Sequence, residues 1–457
     1  MKIRGFNADQ VADENPSFSI TFGKPNSYAK NSFSILIGPN GTRKSRTLRD
    51  VIDLSLLRPR DGGLTHKGKI GEINLWPSPG DPKERNINNI VAISGVASDR
   101  FPSRITGRRI RGLPLSYAYV GPRSENNLVS RAHSINQVAR SLLEQAHSLD
   151  QRRDNLREAF KILNLHGRIS FVFRPSDAYV NSAWTERELR KRISIGLSNT
   201  SSTSIKSEEI SPPIFERCID ILAKPRSQIR FDLDTKNCIR TNSINLEAIK
   251  SLIRSGALSV HSGTVETIKG ETLNLYDFSS GQWQVLSSLL FAATVVEDGS
   301  LMLIDEPENS LHPAWQQQYL PLLRSAISCA KGVHVIVATH SPLIAASLSP
   351  EEAEVISLNV KKNGRISSRK LKADPFGWTS DAILEEVFGL PSARSIDFTT
   401  QMNEALGLMA KGDRKNSKLA SLVRSLNKVK YTLPEDDVAR EIIASMAAII
   451  LGTTEDA

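Results

Sequence analysis

Residues Gly38-Pro39-Asn40-Gly41-Thr42-Arg43-Lys44-Ser45 stand between an apolar run, Ser32 to Ile37, and a stretch from Thr47 to Leu57 with leucines and isoleucine at helical spacing. A glycine-rich turn between a strand and a helix points backbone N–H groups at one spot and adds the positive end of the helix. Two later apolar runs also end in chemistry. Leu301 to Ile304 leads into Asp305-Glu306-Pro307, and Val333 to Val337 leads into Ala338-Thr339-His340-Ser341-Pro342. Such short runs read as parallel strands buried on both faces, and open α/β sheets place ligands at the C-terminal ends of their strands. The spacing therefore predicts an α/β fold that gathers a phosphate loop, two acids and a histidine on one sheet edge.

Each residue type suits phosphoryl chemistry, which depends mostly on positioning and charge stabilisation. The backbone N–H groups of Asn40, Gly41, Thr42 and Arg43 would cradle phosphates, with Gly38 and Gly41 permitting the tight turn. Lys44 would reach the β- and γ-phosphates. Ser45 and Asp305 would hold Mg²⁺, Glu306 would polarise an attacking water, and His340 would contact the terminal phosphate. Arg43 is the departure, because a glycine is expected there. A positive φ would cost a non-glycine residue about 1–2 kcal/mol, and its side chain must point away from the phosphates. Either the loop tolerates Arg43 and binding is retained, or the loop is distorted and turnover is slow.

Ser279, Ser280 and Gly281 precede a predicted helix, Trp283 to Thr294. Hydroxyls and N–H groups at a helix start can bind an anion, and they can equally be an ordinary serine cap. Asp99 and Arg123 lie between the glycine loop and the middle of the chain, as site residues or as loop filler. His312 likewise has two readings.

The chain has 457 residues, of which 39% are hydrophobic, and carries 59 basic against 49 acidic residues, a formal charge of +10. That balance suits an acidic partner such as nucleic acid. Three widely spaced cysteines suggest neither a zinc site nor a disulfide framework. No signal peptide is apparent, and the apolar stretch Ile442 to Leu451 is too short to cross a bilayer. The expectation is a cytoplasmic protein with no membrane partner.

Four regions are expected. Residues 1–127 form an N-terminal lobe with the phosphate loop, and 128–265 a helical insertion. Residues 266–350 form a C-terminal lobe, and 351–457 a hairpin around Lys362-Asn363-Gly364 followed by a helical tail for partner or oligomer contacts. The polar stretch 198–212 reads as a linker. In the tail, Lys411, Arg414, Lys415, Lys418, Arg424, Lys428 and Lys430 could neutralise phosphates or form a solvated face.

Together the four segments resemble an ATP-binding-cassette ATPase, a P-loop NTPase head. Asp305-Glu306-Pro307-Glu308-Asn309-Ser310-Leu311-His312-Pro313 followed by Ala338-Thr339-His340-Ser341-Pro342 is similar to the RecF-like and OLD-type branch. The resemblance covers roughly residues 1–125 and 270–350. It implies ATP with Mg²⁺, and a homodimer or higher oligomer in which Ser279, Ser280 and Gly281 complete the partner's nucleotide site. Many OLD-type proteins add a metal-dependent nuclease module. After residue 350 only Asp436-Asp437 is found, with no D-x-D pair, so that module is not expected. The pattern then resembles the PtuA family of the Septu antiphage system, with the PARIS ATPase a close competitor. Val91 to Phe101 and Gly377 to Gly389 add to this likeness. The implied partners are an HNH or other nuclease subunit, and DNA or retron components. A RecF-like repair ATPase and a slow-turnover nucleotide sensor are the alternatives.

Overall fold

The computed structural model describes residues 2–9, 18–24, 30–57, 64–76, 87, 89–102, 116–123, 130–146, 153–176, 179, 187–188, 190–191, 211–223, 228–235, 238–239, 243–371, 375–390, 394–412 and 416–452. It divides into two units, residues 1–378 and 379–457.

A seven-stranded sheet forms the frame of the first unit. Its spatial order is Ile366–Lys370, Ala353–Val360, Ser32–Ile37, His334–Thr339, Leu301–Asp305, Asn89–Ser94 and Ser116–Val120. All neighbours run parallel except the first pair, which is the hairpin expected around Asn363-Gly364. The central strands Leu301–Asp305, His334–Thr339 and Asn89–Ser94 are buried along their whole length. Each fully buried Val, Leu or Ile contributes roughly 1.5–3 kcal/mol, so these runs fix the layer order. The register aligns Leu36 with Ala338, Ala338 with Asp305, and Asp305 with Ser94. Every segment with chemistry therefore leaves the sheet at the same edge.

The strand Ala353–Val360 pairs with Ser32–Ile37, next to the phosphate loop. The hairpin is thus part of the core sheet, which corrects the division at residue 350. Its apolar side chains Val355, Ile356 and Leu358 are buried. A second, antiparallel sheet joins Phe18–Thr21, Ile3–Ala8, Gly71–Leu75 and Thr65–Gly68. Its inner face packs with the helix Lys44–Ser55 in one hydrophobic cluster through Phe6, Ile20, Ile73, Leu48 and Ile52.

Residues 128–265 depart from the expected helical insertion. The helices Arg131–Glu144, Arg153–Ile162, Pro212–Leu222 and Ser243–Arg254 are present. They accompany a five-stranded antiparallel sheet: Cys238–Ile239, Ile229–Asp234, Leu165–Pro175, Leu258–Thr267 and Thr272–Asn274. The period is two over most of its length: Ile169, Phe171 and Phe173 are buried, and Arg168, Val172 and Arg174 on the other face are more exposed. Because Thr272–Asn274 pairs with Leu258–Thr267, the insertion runs past the predicted limit at 265. Most of the polar stretch 198–212 lies outside the described residues.

The second unit contains the helices Ser380–Phe388, Ile396–Ala410, Ser417–Val429 and Val438–Leu451. The last three bury Met402, Ala405, Leu419, Val423, Leu426, Ile443 and Met446 together. Thr379, Ser395, Asn416 and Asp437 cap the four helix starts with their own side chains. Among the tail cations, Lys418 pairs with Glu404 and Lys430 stacks on Tyr431, while Arg414 and Lys415 lie outside the described residues. No described helix is long and apolar enough to cross a membrane.

Candidate nucleotide site

The phosphate loop follows the strand Ser32–Ile37 and opens the helix Lys44–Ser55 at its N-terminus. A Cβ on Gly38 would stand 2.1 Å from the Leu358 carbonyl oxygen, so only glycine lets the loop pass this strand. At the crest Gly41 takes φ 80°. The Thr42 hydroxyl donates to the Pro39 carbonyl at 2.8 Å and braces the loop internally.

Arg43 is the N-cap of the helix and takes φ 65°, ψ 20°, the left-handed conformation that glycine would adopt without strain. Its guanidinium turns toward the antiparallel sheet, 5.8 Å from the Phe18 ring centre. Its Nη1 is buried and has no hydrogen-bond partner. Burial, together with Arg46 and Arg100, lowers its pKa, and Asp50 opposes that effect. The loop thus accommodates arginine at the cost of backbone strain and a poorly compensated charge.

Lys44 is buried and spans the loop. Its ammonium donates to the carbonyls of Gly38 at 2.8 Å and Pro39 at 3.0 Å, and lies 3.4 Å from His340 Nδ1. Burial lowers its pKa to about 8, with Glu306, Glu308 and Asp305 opposing. It remains a cation at neutral pH.

Asp305 is 1% exposed and buries its carboxylate beside the Ser45 hydroxyl. Burial raises its pKa to about 7, and the hydrogen bond from Ser45 counters part of that rise. A buried carboxylate is costly unless a cation compensates it. Asp305 and Ser45 are hard oxygen donors beside a phosphate loop, so this pair fits Mg²⁺. When bound, the ion would neutralise phosphate charge, with Ser45 and Asp305 as its protein ligands.

Glu306 takes φ 46° and lies 3.6 Å from His340 Nε2. Its backbone N–H bonds the Ala338 carbonyl at 2.8 Å, coupling the two strand ends. Burial and the Lys44 charge lower the His340 pKa to about 4, so its imidazole is neutral at pH 7. A neutral imidazole can both donate and accept. It sits between the Lys44 cation and the Glu306 carboxylate, where a terminal phosphate and its attacking water would be handled.

Ser279 caps the helix Ser280–Val295 through a reciprocal box with Gln282. Ser279 and Ser280 are exposed. Gly281 lies against the segment after the acids, where a Cβ would stand 2.6 Å from the Ser310 carbonyl oxygen. The ordinary serine cap is therefore made, and the hydroxyl-bearing helix start is exposed. Arg131 bonds the Phe278 carbonyl, and the Trp283 indole donates to Ser134 at 3.0 Å, tying the segment to the insertion.

Asp99 belongs to an internal cluster. It accepts from Tyr119 at 2.6 Å and from the Phe101 N–H at 2.9 Å, and pairs with Arg123 at 3.3 Å. His312 caps the helix Pro313–Ala326. The sequence reading missed Glu308, whose Oε1 accepts from the His340 backbone N–H. It also missed Gln284, whose amide donates to the Pro307 carbonyl at 2.9 Å. The third acid of the Asp305–Pro313 phrase was the available signal for Glu308; Gln284 had none.

A phosphate loop joined through one parallel sheet edge to a buried aspartate, a glutamate and a strand-end histidine defines a P-loop NTPase head of the ABC-ATPase type. Residues 113–346, just over half of the chain, match the family described as "AAA domain, putative AbiEii toxin, Type IV TA system", and the chain belongs to that family. It is 32% identical over 112 residues to the Septu protein PtuA of Bacillus thuringiensis, over 23% of this chain and 27% of that protein. It is 31% identical over 165 residues to protein ea59 of Escherichia phage lambda, over 33% of this chain and 30% of that one. The chain thus spans about a quarter to a third of the length of these relatives. A solved SMC head domain from Thermotoga maritima aligns over 82% of this chain and 100% of its own, with 10% identity and a TM-score of 0.32.

Proposed function

We propose that this chain binds ATP with Mg²⁺, hydrolyses it, and regulates a separate effector nuclease in a bacterial antiphage complex through nucleotide-dependent dimer closure. One observation carries the nucleotide site: the buried Asp305 carboxylate stands beside Ser45 on the edge that gathers Lys44, Glu306 and His340. In this reading Lys44 and the N–H groups of residues 40–43 grip the phosphates, Glu306 positions the water, and His340 senses the terminal phosphate. The exposed Ser279 and Ser280, with Gly281, would complete the nucleotide site of a second copy. The likeness to the Septu protein PtuA supports the defence assignment and a nuclease partner of the HNH or another class. The net charge of +10 supports contact with DNA or a retron component.

Equilibrium binding of ATP with Mg²⁺, phosphate release and light scattering test this reading. Lys44→Ala should abolish binding, and Glu306→Gln should retain binding, lose turnover and accumulate an ATP-dependent dimer. A purified wild-type chain that binds no ATP would sink the proposal.

A second reading is favoured by the left-handed Arg43: ATP acts mainly as a regulatory ligand and is turned over slowly. Wild-type phosphate release well below that of Arg43→Gly, at equal ATP affinity, supports it.

A further inference from the structure

We infer that Glu308 is a positioning residue for the reaction: it fixes His340 against the nucleotide edge and ties it to the segment under Gly281. This rests on the ATPase reading above.

The geometry has three parts. Glu308 Oε1 accepts the backbone N–H of His340, and Thr339 bonds the same carboxylate. The corner that carries the imidazole is thus held by a side chain from the neighbouring strand end. Second, Glu308 Oε2 is buried, so the carboxyl depends on the hydrogen bonds it receives from the His340 corner, from Thr339 and from its own N–H. A buried carboxylate is costly unless such bonds are met, which holds it against that corner. Third, the corner is tied again on its far side. The Ser341 hydroxyl donates to Gln316 Oε1 at 2.7 Å, and the Gln316 amide donates to the Leu311 carbonyl at 2.9 Å.

These ties enclose residues 306–311. Glu306 and Ser310 both take left-handed φ, 46° and 68°, so this stretch is conformationally constrained. The Leu311 N–H bonds the Glu308 carbonyl at 2.9 Å, and Asn309 Nδ2 bonds the Gly95 carbonyl at 2.9 Å. The Ser310 carbonyl is the group that Gly281 accommodates. The serine–glycine segment thus abuts Ser310, inside the stretch that the Leu311–Glu308 backbone bond closes and the Glu308 carboxylate ties to His340. Glu308 touches no reacting atom in this scheme. Its effect is exerted through the placement of His340 between Lys44 and Glu306.

The test compares Glu308→Gln, which keeps an acceptor of the same length, with Glu308→Ala, which removes the anchor. Both are measured in the full chain for ATP affinity, kcat, KM and thermal midpoint, beside wild type and Glu306→Gln. A misplacement of about 1 Å at a reacting centre costs on the order of 100-fold in rate. Glu308→Ala should lower kcat by roughly 10- to 100-fold with KM and ATP affinity within about 2-fold of wild type. Glu308→Gln should restore kcat to within about 3-fold of wild type. Three results overturn the inference: an unchanged kcat in Glu308→Ala, equal losses in both variants, or a loss confined to KM. A wild type that binds ATP and turns it over while Glu308→Ala matches it leaves the ATPase reading standing and removes this one. A wild type with no turnover removes both.

Discussion

Replacing Arg43 by glycine should stabilise the first unit. Arginine occupies φ 65°, ψ 20°, which costs an L-residue about 1–2 kcal/mol. Its buried Nη1 lacks a partner, and an unsatisfied buried donor costs about 1–3 kcal/mol; the low end applies to this partly exposed side chain. Two terms oppose these. Stacking over Phe18 contributes about 0.5–1 kcal/mol, and glycine brings a chain-entropy penalty of about 0.5–1 kcal/mol. The balance favours Arg43→Gly by about 1 kcal/mol. Arg43→Ala separates the causes, because alanine removes the guanidinium and keeps the strained backbone. Urea unfolding of the three proteins, without nucleotide and monitored by circular dichroism, provides the measurement. The expected order has glycine most stable, above alanine by about 0.5–1 kcal/mol once its chain-entropy penalty is set against the relieved strain. An alanine variant as stable as the glycine variant would refute the assignment of strain to the backbone.

Gly38→Ala forces a Cβ to 2.1 Å from the Leu358 carbonyl; a lower thermal midpoint and loss of ATP binding in calorimetry are expected together. The buried His334 accepts from the Ile3 N–H at 3.1 Å and bonds Ser34 at 3.0 Å, and burial lowers its pKa to about 3. Unfolded histidine titrates near 6.5, so between about pH 6.5 and 3 the unfolded state binds the extra proton and stability falls as pH falls. From pH 6.5 to 5.5 this residue alone should remove about 1 kcal/mol, a slope absent from His334→Gln in denaturant titrations at the two pH values. Trp283→Phe deletes the bond to Ser134 and leaves a buried acceptor; a loss of about 1–2 kcal/mol is expected, and a loss no larger than the error of the unfolding curves would show that the tie is dispensable.

Much of the core was legible because continuous apolar runs followed by polar chemistry have few structural solutions. Ser32–Ile37, Leu301–Asp305 and His334–Thr339 lie where their patterns place them, and the helix after the loop begins at Lys44. The insertion was harder to read. Phe171, Phe173 and Phe231 sit in strands whose partners lie far away in sequence, and local periodicity does not report such pairing. The hairpin after residue 350 was recognised locally, yet its membership of the core sheet depends on pairing with a strand more than three hundred residues earlier. Glu308 was visible only as a third acid in the Asp305–Pro313 phrase, and its role was hidden for the same reason. Its acceptor role exists only where the strand ends at 305 and 339 lie side by side.

The residue order alone names the chemistry at hand: a glycine loop with Lys44 and Ser45, the acids Asp305 and Glu306, and His340, each placed after a run that can only be buried. It also identified Arg43 as the residue out of pattern. What those residues experience is set by the folded arrangement around them. Burial brings the Asp305 pKa to about 7 and that of His340 to about 4, and turns the Arg43 side chain onto Phe18. The physical reason is that residue type is local, whereas desolvation, neighbouring charge and backbone strain are set by which distant segments close around the site.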